Sequence, residues 1–95
     1  MIPTDIETTL KKHKSILAER FKVKSIGVFG SCAHGRESDT SDVDLLVEFS
    51  GPIGWEFIDL QEYLSKLLHR RVDLVTVRAL KPQLKDQILK EVVYV

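Results

Sequence analysis

Asp42 and Asp44 stand one residue apart inside the apolar alternation Val43, Leu45, Val47 and Phe49. On a strand that spacing puts both carboxylates on one face, with Cα atoms about 6.6 Å apart and oxygens free to turn toward a common ion. Hard divalent cations suit such a pair. Magnesium keeps an octahedral shell of oxygens and is usually held by one or two carboxylates plus substrate phosphates. Asp73 supplies a third carboxylate inside another apolar run, Arg71-Val72-Asp73-Leu74-Val75-Thr76-Val77. Aspartate is depleted in strands, and three of them at strand positions repel one another unless something positive offsets them. A cation is the simplest explanation; the competing one is an acidic face that is merely solvated. Gly30-Ser31 adds a second element directly after Ser25-Ile26-Gly27-Val28-Phe29. A glycine there lets the backbone turn sharply and approach a ligand, a following helical turn would aim amide donors at a phosphate, and Ser31 contributes a hydroxyl. Alone, that dipeptide signals only a turn.

The elements that must position these groups follow from spacing. Thr4-Asp5-Ile6-Glu7 after Pro3 has the form of a capping box, and Ile6, Leu10, Leu17 and Phe21 fall near one side of a helix running to about Arg20. Residues 25–29 are β-branched and aromatic and form a strand; the small, polar stretch from Gly30 to Ser41 is a loop with at most a short helical turn. Asp42 to Phe49 is the second strand. After Gly51-Pro52 and Gly54, a helix from about Trp55 to His69 carries the stripe Phe57, Leu60, Leu64, Leu67 and Leu68. Residues 71–77 form the third strand, and Lys81-Pro82 opens a last helix with Leu84, Ile88 and Leu89. The alternation predicts an α/β fold, a small mixed sheet of about three main strands with helices against it, in a single domain spanning 1–95.

Gly30-Ser31, ten residues, then Asp42-x-Asp44 resembles the pattern of the DNA polymerase beta-like nucleotidyltransferase superfamily. The stretch from Val28 to Arg36, the run Ser41 to Phe49 and the later Arg71-Val72-Asp73-Leu74-Val75 resemble in particular the minimal nucleotidyltransferases (MNT). The resemblance covers nearly the whole chain and implies the polymerase beta palm-like fold. It implies that Gly30 and Ser31 hold nucleotide phosphates, that Asp42 and Asp44 bind magnesium (or manganese), and that Asp73 completes the metal site and assists deprotonation of the attacking hydroxyl. The family commonly has arginine where this chain has His34; a neutral imidazole lacks the permanent charge and fork of arginine, so Arg36 becomes the candidate to supply that phosphate contact. The implied activity is magnesium-dependent transfer of AMP from ATP onto a protein hydroxyl, a tyrosine of a HEPN-domain ribonuclease toxin, with this chain as antitoxin. The alternative is a non-catalytic module that neutralises its partner by occlusion.

Composition limits the remaining classes. Ninety-five residues with 43% hydrophobic and 29% charged side chains suit one small folded domain. Fourteen basic residues balance fourteen acidic ones, so no overall field draws the chain to nucleic acid or an anionic membrane, and direct nucleic-acid binding is not expected. Cys32 is the single cysteine, which fits a small filler in a reducing cytoplasm better than a nucleophile. No signal-peptide pattern and no apolar run of about 20 residues is present, so a cytoplasmic protein is expected. His13 is expected to pack at the edge of the first helix, His69-Arg70-Arg71 to be a solvated helix end, and Trp55 and Phe57 to pack into the core rather than stack on an adenine. The Val92 to Val95 tail suits docking a partner and finishing the core equally.

Overall fold

The computed structural model describes residues 4–30 and 43–95. Thr4–Lys12 forms α1 and Lys14–Phe21 forms α2, so the single helix expected to about Arg20 is broken at His13. The cause lies in the histidine itself. Its Nδ1 is 2.8 Å from the Thr9 carbonyl oxygen. A carbonyl only accepts, so Nδ1 carries the proton and donates. In an unbroken helix that oxygen would take the His13 amide, which instead donates to Leu10 O at 3.2 Å. A side chain that takes over a backbone acceptor interrupts the ladder. The apolar side survives the break, since Ile6, Leu10, Leu17 and Phe21 are all buried. Glu7 Oε1 meets Lys11 Nζ at 2.8 Å, one turn on; the Thr4 side chain lies outside the described residues.

Among the described residues four strands form one mixed sheet: β1 (Val23–Phe29), β2 (Val43–Phe49), β3 (Val72–Thr76) and β4 (Val93–Tyr94), in the order β3-β2-β1-β4. β1 runs antiparallel to β2 and β4, while β2 and β3 are parallel. Parallel neighbours need a crossover, and α3 (Glu56–Leu68) supplies it. The period of two in β2 holds. Val43, Leu45 and Val47 join Ile26, Val28, Val72 and Leu74 in the core beneath Ile6, Leu10, Leu17, Leu60 and Leu64. Both α2 and α3 stop at non-glycine residues in the left-handed region, Lys22 (φ 57°) and His69 (φ 54°), whose amides donate to Leu17 O and Ser65 O.

The second half departs from expectation in three places. Trp55 is 82% exposed and does not enter the core; only Phe57 turns inward, edge-on to Phe49 at 6.3 Å between centroids. The reason is positional, because Trp55 precedes α3 and the buried stripe begins at Leu60. There the Gly54 amide donates to Glu56 Oε2 at 2.7 Å, which holds the Glu56 carboxyl below its usual range. After β3, a 3-10 turn (Val77–Ala79) leads to α4 (Pro82–Glu91), in which no residue is buried; Leu84 is 48% exposed. Of the tail, only the last residue finishes the core. Val93 and Tyr94 pair with β1 but stay exposed, while Val95 packs on the core and its amide donates to Ile26 O.

Candidate active site

Gly30, Asp44 and Asp73 are the expected site residues that fall within the described part of the chain, and the sheet brings all three to one end. β1 closes at Phe29, which is paired with Asp44 across the antiparallel ladder. Asp44 is in turn paired with Asp73 across the parallel one. Register partners on adjacent strands stand about 4.8 Å apart and share a face, so the two carboxylates rise side by side from the face opposite the core. Asp44 is half-buried and Asp73 exposed. Like charges placed directly opposite destabilise a sheet, and these two stand near the starts of strands otherwise rich in Val and Leu.

Gly30 explains how the turn fits against them. Its φ is +72°, and a Cβ at this position would collide with Asp44 Oδ2 and lie 3.3 Å from Asp44 Cγ. The backbone conformation is what favours glycine here, and a side chain at this position would also push the Asp44 carboxylate from where it stands. Two hard oxygen donors in register, beside a turn whose backbone favours glycine, suit a divalent cation that completes its shell with phosphate oxygens. Among the described residues no group of three His, Cys, Asp or Glu is gathered for a metal. Asp42, Ser31 and Arg36, like His34, Cys32 and the expected loop from 31 to 41, lie outside the described residues.

Three features of this end were not anticipated. Arg71 is exposed, as expected, but its carbonyl accepts from the Val43 amide at 2.9 Å and so sets the parallel register next to Asp44. Arg70 holds its Nη1 buried without a hydrogen-bond partner among the described residues. Gln61 Nε2 on α3 donates to the Val72 carbonyl at 3.1 Å, immediately before Asp73. Side chain to backbone contacts of this kind leave no periodic trace in a sequence. At the opposite end of β2 and β3, a cavity of about 880 Å³ is lined by Phe49, Ile53, Phe57, Val77 and Arg78 and includes none of the aspartates.

Known proteins share this fold. Residues 10–95 match the family described as nucleotidyltransferase domain. The protein adenylyltransferase MntA of Thermococcus cleftensis is 50% identical over 92 residues, 96% of this chain and 93% of the relative. A solved structure described as a minimal nucleotidyltransferase superposes with a TM-score of 0.76 at 36% identity, covering 95% of each chain. A chain from the complex of the tri-AMPylated Shewanella oneidensis HEPN toxin with its MNT antitoxin shares the fold, with a TM-score of 0.67 at 22% identity over 94% of this chain and 70% of that one. Among the described residues no helix is long and apolar enough to cross a membrane.

Proposed function

The chain belongs to the nucleotidyltransferase-domain family as a minimal nucleotidyltransferase, and we propose that it transfers AMP from ATP to a tyrosine hydroxyl of a HEPN-domain toxin, acting as the antitoxin. The observation that carries this reading is the pairing of Asp44 with Asp73 beside Gly30. The activity of the Thermococcus relative and the AMPylated toxin in the Shewanella complex support the acceptor class. In this reading the hydroxyl oxygen forms a bond to the α-phosphorus, the bond to pyrophosphate breaks, and the hydroxyl proton passes to Asp73, the more exposed carboxylate. Gly30 and Ser31 receive the phosphates, and Arg36 adds the fixed positive charge. Asp42, Asp44 and Asp73 would hold magnesium or manganese, which supplies charge neutralisation for the triphosphate. Most of the rate then comes from positioning and electrostatics rather than from covalent chemistry by the protein. A lone cysteine and the use of ATP in this reading fit a reducing cytoplasm.

The test is to incubate the chain with ATP, magnesium and the protein encoded beside it, and to weigh that partner intact. Gain of AMP on the partner, located to tyrosine by fragmentation, is expected. Neutralisation of the partner with no change in its mass, with or without ATP, would replace transfer by occlusion.

A further inference from the structure

Among the described residues β3 is an edge strand, with β2 on one side and no strand on the other. The register decides which of its backbone groups face outward. Val43 pairs with Val72, and the Val43 amide donates to Arg71 O. In a parallel ladder this turns the Asp73 N–H toward β2 and the Val72 C=O away from it. An outward carbonyl on an edge would otherwise be left to water. Here Gln61 Nε2 donates to it at 3.1 Å from a part-buried position. Gln61 is held by its neighbours, since Leu60 and Leu64, on the same helix, are fully buried.

We propose that Gln61 is a positioning residue for the third carboxylate of the site. The peptide between Val72 and Asp73 is one rigid plane. The sheet restrains its N–H edge and Gln61 its C=O edge. With both edges held, that plane cannot rock at the free margin of the sheet, and the direction in which Asp73 leaves the backbone is set relative to Asp44. The Gln61 amide thus connects the α3 crossover to the metal-facing end of β3. Groups that orient a metal ligand without touching the metal typically change affinity or activity by roughly 10- to 100-fold when removed. The inference rests on the reading above, in which Asp73 is a ligand.

The experiment compares Gln61→Met, which keeps length and loses the donor, and Gln61→Glu, which replaces the donor by an acceptor, with Asp73→Asn and with the double variant Gln61→Met/Asp73→Asn. Manganese binding in the presence of a non-hydrolysable ATP analogue is titrated calorimetrically, and exchange of the Asp73 amide is followed by NMR without metal. Both single Gln61 variants are expected to bind manganese roughly tenfold more weakly, with faster exchange at Asp73 and unchanged exchange at core amides such as Leu45. The double variant is expected to bind no more weakly than Asp73→Asn. Wild-type manganese affinity in both Gln61 variants, while Asp73→Asn binds weakly, overturns the positioning role and leaves the site intact. Additive losses in the double variant overturn it as well, because Gln61 would then act elsewhere. Wild-type affinity in Asp73→Asn overturns the metal reading itself.

Discussion

The two faces of the sheet are built to different standards. Against α1, α2 and α3, Val28, Val43, Leu45, Val47 and Val72 are all at most 1% exposed. On the opposite face the same strands present Asp44, Glu48 and Asp73, and among the described residues the cover is slight: Val92 sits over Gly27, and α4 buries no residue. Leu46 is buried on this face too, between its register partners Gly27 and Val75. The difference shows a division of labour within single strands. One set of alternate residues holds the domain together, which frees the other set to carry repelling carboxylates that a fully covered sheet could not accommodate.

Substitutions on the two faces should therefore separate stability from chemistry. The largest stability effect is expected from Leu45→Ala, which empties a fully buried position beneath the helices; it should cost about 2–5 kcal/mol in chemical denaturation. Gly27→Val lies on the other face and should cost less, about 1–3 kcal/mol. Even a Cβ there would lie 2.6 Å from Val92 Cγ2 and 3.1 Å from Val93 O. Its loss should be local, read as faster amide exchange at Val95 with core amides unaffected. Asp44→Asn removes a half-buried charge without removing a core side chain, and should leave the metal-free domain folded with a change in stability under about 1 kcal/mol. If Asp44→Asn instead melts the domain, the carboxylate is structural and the division of labour fails. The smallest effect is expected from Lys24→Met, which breaks the exposed 3.3 Å pair with Glu48 and should change stability by under about 0.5 kcal/mol.

Much of the covered face could be read directly from the chain, because burial there leaves a period. The alternation through Val43, Leu45 and Val47 and the stripe Leu60, Leu64, Leu68 each identified the residues that became core. The candidate site drew notice for a different reason: aspartate is so disfavoured in a strand that Asp44 and Asp73 stand out, and the sheet pairs the two in register. What escaped depends on groups that repeat nowhere. The break at His13 comes from one ring nitrogen competing for one carbonyl. Gln61 meets an edge carbonyl whose direction is known only once the register is known. Leu84 and Leu89 form an apolar side of α4, but amphipathicity specifies which side is apolar and not whether anything in the same chain covers it.

The central claim is that Asp44 and Asp73 are paired to share a cation with a nucleotide. Its most direct test is thermal unfolding of the wild-type chain, Asp44→Asn and Asp73→Asn, each with and without millimolar ATP plus magnesium. Ligand that binds only the folded state raises its stability by RT ln(1 + [L]/Kd), about 2.7 kcal/mol when ligand exceeds Kd a hundredfold. The account predicts that ATP and magnesium together raise the wild-type melting temperature more than either alone, while both variants fold and show little or no rise. Superimposable wild-type curves with and without the ligands, or an equal rise in the variants, would contradict it.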